Sequence, residues 1–365
     1  MVHKKLRVAV IYGGRSGEHE ISLQSAASVI RNLDRNRFDV VPISIDKKGR
    51  WHLNDVSLIT DTKALPVFEN TPQFVLPAYP AIQGNEAPID VVFPVMHGPL
   101  CEDGSIQGLF ELASLAYVGA GVLGSAVGMD KDVAKRLARD AGIPIVPYLA
   151  PKKEVWTRNP EAIAKQVEKE LGYPCFVKPA NLGSSVGVHK VKKAADLQAA
   201  LKDSFQYDTK VLIEKAINAR EIEVAILENP DPGLPPLAST AGEITPTHEF
   251  YSYESKYLDE NGAHLKIPAG LTPEQMKTVQ TLAQRTFVTL EGEGLARVDF
   301  FLDKDTGDFY LNEVNTMPGF TSISMYPKMW EASGISYSQL LSKLIDLAVA
   351  RHQRKSALVR EFHGS

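Results

Sequence analysis

At 365 residues, with 44% hydrophobic and 23% charged side chains, the chain has the composition of a globular protein long enough for two or three domains, which excludes a disordered or fibrous class. Forty Lys and Arg against 44 Asp and Glu leave a net charge of −4, so no bulk basic field exists to hold nucleic acid or an anionic membrane. Two cysteines, Cys101 and Cys175, are too few for a disulfide scaffold, and no run approaches the roughly 20 apolar residues of a spanning helix, so the expectation is a soluble, cytoplasmic protein.

Leu6–Tyr12 is an apolar run ended by glycines, followed by Leu23, Ala27, Ile30 and Leu33 at helical spacing and by the β-rich run Phe38–Ile45. That order predicts a βαβ opening. Val91–Val95 and Leu115–Val118 read as further buried strands of a parallel sheet. Asp130 is placed to cap a helix running through Ala141, with Gly142 and Pro144 as stop signals. Pro174–Lys178, Gly187–Val191 and Lys210–Glu214 then read as strands of a small α+β unit with a helix near Ala194–Lys202. A third block opens near Glu221. It contains the polar stretch Phe250–Gly270, too long for an idle loop. The capping box Thr272-Pro273-Glu274-Gln275 starts one helix, and Ser336 with Gln339 starts the last, through about His352.

Four features bear on chemistry. Gly119-Ala120-Gly121-Val122-Leu123-Gly124 matches a dinucleotide fingerprint, but the second strand that should end in an acidic residue is missing, so a tight turn with close helix packing is the preferred reading. Lys178 to Val188 is a lysine, a small-residue loop and a resumed strand, a pattern able to close over phosphates with backbone N–H groups and hydroxyls or to be a plain hairpin loop. Leu295–Asp303 and Asp308–Asn315 flank a turn. If that turn is centred on Thr306, Asp299 opposes Glu313 and Arg297 opposes Asn315, with Val298, Phe300, Tyr310 and Val314 on the apolar face. Opposed carboxylates repel unless a cation lies between them, and this all-oxygen set suits magnesium rather than zinc. His97 follows a strand end, and Glu18, His19 and Glu20 sit at a helix start where acidic residues serve as caps.

In order along the chain, Gly13 to Ser22, His97-Gly98, Glu102-Asp103-Gly104, Met129-Asp130-Lys131, Lys178 to Gly187, Glu221, Lys256-Tyr257, Arg297-Val298-Asp299 and Asn312 to Ser324 resemble the D-alanine–D-alanine ligase family. The resemblance implies an ATP-grasp fold in mixed α/β and α+β form: an N-terminal parallel α/β domain (1–128) for the first substrate, then two ATP-grasp subdomains (129–215 and 216–365). It further implies that Lys131, Lys178, Ser184, Ser185, Glu214, Lys215, Ile217, Glu221 and Lys256 bind ATP. Asp299, Glu313 and Asn315 would hold two magnesium ions, with manganese a substitute. The catalytic set would be Glu18, Ser184, Tyr257, Arg297 and Ser324. D-alanine would be received by Glu18, His97, Arg297, Gly319, Ser324 and Met325, and Phe250–Gly270 would be a lid over them.

The implied activity is ATP-dependent D-alanyl-D-alanine synthesis for peptidoglycan precursors, by a homodimer with no nucleic-acid or membrane partner. D-alanine–D-lactate synthesis, a non-catalytic nucleotide-binding module and a nicotinamide dehydrogenase are the alternatives. Tyr257 favours the dipeptide. Cys101 stands where the family has glycine, which would strain the loop if that position requires a left-handed backbone.

Overall fold

The computed structural model describes residues 4–54, 63–67, 88–246 and 263–360. They form three sheets. The first is built from β1 (Leu6–Gly13), β2 (Phe38–Ile45), β3 (Trp51–Leu53), β4 (Val91–Val95) and β5 (Ala116–Tyr117), in the order β3-β2-β1-β4-β5. β1 runs parallel to β2 and β4, and β4 to β5, while β3 alone is antiparallel. Because side chains alternate, β1 sends Val8, Val10 and Tyr12 to one face and Ala9 and Ile11 to the other, and both faces are covered. The first face packs under helices His19–Asn32 and Tyr337–Ser356, so the end of the chain covers the sheet made by its beginning.

The second sheet contains β6 (Tyr148–Leu149), β7 (Cys175–Pro179), β8 (His189–Val191) and β9 (Val211–Lys215), antiparallel in the order β6-β9-β7-β8. Helices Pro160–Glu170 and Ala194–Ser204 press Val167, Leu197 and Leu201 onto Cys175 and Val177.

The third sheet, β12-β11-β10-β13-β14, is antiparallel throughout and comprises β10 (Ala219–Leu227), β11 (Leu237–Pro246), β12 (Ala263–Lys266), β13 (Leu295–Asp303) and β14 (Phe309–Asn315). The capping box at Thr272 and Gln275 opens helix Pro273–Thr289, whose Val279, Ala283 and Phe287 cover Ile222, Val224 and Phe300. Asp130 accepts from the amides of Asp132 and Val133 and starts helix Lys131–Asp140, which adds Ala134 and Ala138 to this third core.

Three sequence expectations need correction. The hairpin β13–β14 is not centred on Thr306: Leu302 faces Phe309 and Phe300 faces Leu311, and the register shifts before Asp299 meets Glu313. One extra residue, Asn312, forms a bulge that restores the expected pairing at the site while reversing it toward the turn. Phe309 and Leu311 therefore fill the core in place of Tyr310, and Phe309 meets Phe300 edge to face at 6.4 Å. Within Phe250–Gly270, residues 263–266 are a strand paired to β11 rather than loop. Gly119 to Gly124 form the preferred turn and packing contact: Gly119 has φ +103°, and a Cβ on Gly124 would stand 2.4 Å from the Glu291 carbonyl oxygen.

Candidate active site

Three carboxylates stand in register across neighbouring strands, Glu223 on β10 opposite Asp299 on β13, and Asp299 opposite Glu313 on β14. Such a row is repulsive without cations. Arg297, two residues from Asp299 on the same face, donates Nε to Asp299 Oδ1 at 2.8 Å and Nη2 to Oδ2 at 2.7 Å. Its Nε also lies 3.1 Å from Glu223 Oε2. Burial would lower the guanidinium's pKa, but Asp299 and Glu223 hold it well above the ordinary value. Lys131 reaches Glu313 Oε2 at 3.1 Å, and the Asn315 side-chain amide donates to Asp299 at 2.9 Å.

The donor chemistry of Asp299, Glu313 and Asn315 fits a hard divalent cation. Among the described residues no three His, Cys, Asp or Glu side chains group as a complete metal site. An ion held here would thus use one or two carboxylates and take its other ligands from water or phosphate, as magnesium commonly does.

On one side of this row a cavity of about 240 Å³ opens between the second and third sheets, lined by Lys178, Ser184, Ser185, Glu214 and Glu221 among others. Lys178 leaves β7 and donates to Asn312 Oδ1 at 3.2 Å, so the bulge residue is one of its anchors. Its other anchor is Glu214, whose second oxygen meets Lys135 at 2.7 Å. Burial would raise the Glu214 pKa, yet the two ammonium groups hold its carboxyl below the ordinary range. Lys131 donates to the Leu182 carbonyl at 2.8 Å, pinning the small-residue loop. Ser184 and Ser185 in that loop both have left-handed backbones, φ 55° and 59°, a strained choice for residues with a Cβ and one that accumulates at functional sites. Lys215 and Ile217 line the same cavity.

On the other side a second cavity of about 210 Å³ is lined by Glu18, His97, Glu102, Gly319, Ser324 and Met325, among others. The two cavities meet at Lys131, Ser184, Arg297 and Glu313. Glu18 occupies the N-cap position of its helix without a capping side-chain bond. Its carboxylate instead accepts from the Ser184 hydroxyl, joining the first sheet's loop to the phosphate-type loop. His97 is buried, with Nδ1 donating to the Met317 carbonyl at 3.0 Å and Nε2 paired with the Ser25 hydroxyl at 3.2 Å. Since a carbonyl only accepts, Nδ1 carries the proton, and burial lowers the ring's pKa. With both nitrogens engaged, His97 lines the cavity with its ring and positions the Met317 loop.

Glu102 accepts from the amides of Gly98 at 2.7 Å and Met317 at 3.2 Å. Burial and then the neighbouring Glu18 push its carboxyl up to about 8. Ser324 is folded onto its own loop, accepting from the Thr321 amide at 2.9 Å, and a Cβ on Gly319 would come 2.7 Å from its Oγ. Glycine at 319 keeps that hydroxyl in place.

Cys101 corrects an expectation. The left-handed residue of the His97–Gly104 loop that bears a side chain is Leu100, φ 69°, whereas Cys101 is buried in the first sheet's core with Sγ 3.5 Å from where a Gly14 Cβ would stand. Its side chain fills core and does not strain the loop.

The structure thus gathers every candidate residue named from the sequence around the two cavities, apart from Lys256 and Tyr257, which lie outside the described residues. The sequence reading missed Lys135, Glu223, Glu102 and Asn312. Two of them left a signal: Lys135 is four residues beyond Lys131, on the same helical stripe, and Glu223 alternates with Glu221 along one strand face. Glu102 and Asn312 both lie in segments that resemble the family, but the bulge at Asn312 has no local signature.

The D-ala D-ala ligase N-terminus family matches residues 7–120, and the D-ala D-ala ligase C-terminus family matches residues 137–346. The D-alanine–D-alanine ligase A of Bradyrhizobium diazoefficiens is 57% identical, over 98% of this chain and 99% of that protein. Among solved structures, the D-alanine-D-alanine ligase from Coxiella burnetii superposes with a TM-score of 0.80 at 37% identity, covering 96% of each chain. The VanG D-Ala:D-Ser ligase from Enterococcus faecalis superposes at 0.81, also 37% identical, covering 94% of this chain and 100% of that one. With both parts of one family matched in order along a mixed α/β fold, the chain belongs to the D-alanine–D-alanine ligase family, whose fold is ATP-grasp.

Proposed function

We propose that the chain condenses two D-alanine molecules to D-alanyl-D-alanine with conversion of ATP to ADP and phosphate. The observation that carries this reading is the meeting of two cavities at Arg297: cationic and small-residue groups suited to phosphates lie on one side, and Glu18, suited to an amino acid's ammonium, lies on the other. The γ-phosphoryl of ATP passes to the carboxylate of the first D-alanine, and the amine of the second attacks the resulting acyl phosphate, releasing phosphate. Lys131 and Lys178 neutralise phosphate oxygens, Ser184 and Ser185 donate to them, and Glu214, Lys215, Ile217 and Glu221 line the nucleoside end. Asp299, Glu313 and Asn315 are the residues that would hold magnesium, which supplies charge neutralisation on transferring phosphoryl oxygens when bound.

Glu18 fixes the first ammonium. Arg297 holds the carbonyl oxygen as it becomes an oxyanion, a role worth about 10²–10³ in rate for a single donor. Ser324 and the Gly319–Met325 loop receive the second substrate. Lys256 and Tyr257, which the family resemblance implies act on phosphate and on Ser184, lie outside the described residues.

Purified protein with ATP and magnesium should release phosphate only when D-alanine is present, with a dipeptide as product. Equal release with and without D-alanine would sink the substrate assignment. D-lactate offered as acceptor across a range of pH tests the alternative product. Arg297→Ala with unchanged turnover would favour a binding module instead. We further propose the division 1–128, 129–215 and 216–365, a homodimer, and action in the cytoplasm. No described helix is long and apolar enough to cross a membrane, which is consistent with that location.

A further inference from the structure

Lys135 lines neither cavity, yet it is 1% exposed and carries an ammonium. It leaves helix Lys131–Asp140, meets Glu214 Oε1 on β9 at 2.7 Å and donates to the Leu311 carbonyl on β14 at 2.9 Å. Leu311 immediately precedes the bulge residue Asn312, which accepts from Lys178. Glu214's other oxygen also holds Lys178. A buried carboxylate therefore lies between two ammonium groups, only one of which faces the nucleotide-type cavity.

Burying an ammonium is unfavourable, and burial lowers the Lys135 pKa. Packing needs alone would be met by methionine or leucine. What a hydrocarbon cannot do is balance Glu214. With Lys135 in place, the trio carries a net charge of +1, so Lys178 still presents a cation to a polyphosphate. Without it, Glu214 and Lys178 cancel, and the cavity loses that charge.

We propose that Lys135 is a positioning residue for nucleotide binding, neutralising Glu214 so that Lys178 keeps its charge for phosphate while the Leu311 contact ties the second sheet to the third. This deepens the ligase reading and rests on it for the identity of the nucleotide. Glu214 then serves as a spacer that sets where Lys178 stands.

The test is calorimetric titration of the full chain with magnesium ADP, together with KM for ATP and for D-alanine. Lys135→Met should weaken ADP binding and raise KM for ATP on the order of tenfold, with KM for D-alanine within about twofold. Lys135→Met combined with Glu214→Gln restores the net charge of +1 and should bind ADP at least about threefold more tightly than Lys135→Met alone, the remainder of the loss being the altered Glu214 contacts. A double variant as weak as the single one, or a loss shared equally by both substrates, overturns the charge role and leaves Lys135 as packing. If Lys135→Met does not fold, the double variant is compared with Glu214→Gln alone: once the carboxylate is gone Lys135 has nothing to neutralise, so an ADP affinity about tenfold below that of Glu214→Gln overturns the proposal. An unaltered chain that binds ADP but releases no phosphate with D-alanine rejects the ligase reading and leaves the charge relay to stand or fall by the titrations.

Discussion

Arg297 is held by two hydrogen bonds to Asp299 and by Glu223, so it answers two charges before any substrate arrives. Its removal has two effects that can be separated. Arg297→Ala should lower kcat by about 10²–10³. It should also lower the melting temperature, because Glu223, Asp299 and Glu313 then face one another with less positive charge between them, and magnesium should recover part of that loss in thermal melts. Glu102 gives a prediction with a sign. Its folded pKa, about 8, lies above the ordinary carboxyl value, so its contribution to stability is complete at low pH and is lost as pH rises through about 8. The unliganded chain should therefore melt at lower temperature at pH 9 than at pH 6, and Glu102→Gln should flatten that slope. The amide cannot accept both backbone N–H bonds as well as the carboxyl does, so the variant should also lose about 1–3 kcal/mol throughout.

The hairpin β13–β14 is the element on which the site depends, and its bulge links geometry to chemistry. Asn312→Ala keeps the strand but removes the Lys178 anchor, a bond worth about 1 kcal/mol, so KM for ATP should rise about fivefold with kcat less affected. A cap gives a control remote from the cavities: Ser336→Ala should cost about 1 kcal/mol in urea unfolding and leave KM unchanged. These two elements mark what was legible in the sequence. Caps and the apolar run of β1 depend on neighbours a few residues apart, and the pairing of Asp299 with Glu313 on a single hairpin, and they were readable. Tyr310 was misassigned because an extra residue inside a strand changes every facing beyond it without altering composition. Glu223 and Lys135 were missed because their meaning comes from partners on other strands, at positions that only the assembled sheets define. The site roles were assigned through the family resemblance more than through local pattern.

At the scale of the whole molecule, Arg351 joins the final helix to the first sheet by donating to the carbonyls of Tyr117 and Gly119, with its guanidinium 4.4 Å from the Tyr117 ring centroid. Arg351→Ala should strand both buried carbonyls and cost about 2–4 kcal/mol, measured as a lower urea midpoint. The same helix sends Leu340, Leu344 and Ile345 into the core shared by Val8, Val10 and Phe93. During synthesis, the opening strands leave the ribosome hundreds of residues before the segment that shields them. The newborn sheet must wait, half dressed, until Tyr337–Ser356 has been made, and a chain stopped before Tyr337 should bind a hydrophobic dye that the full chain ignores.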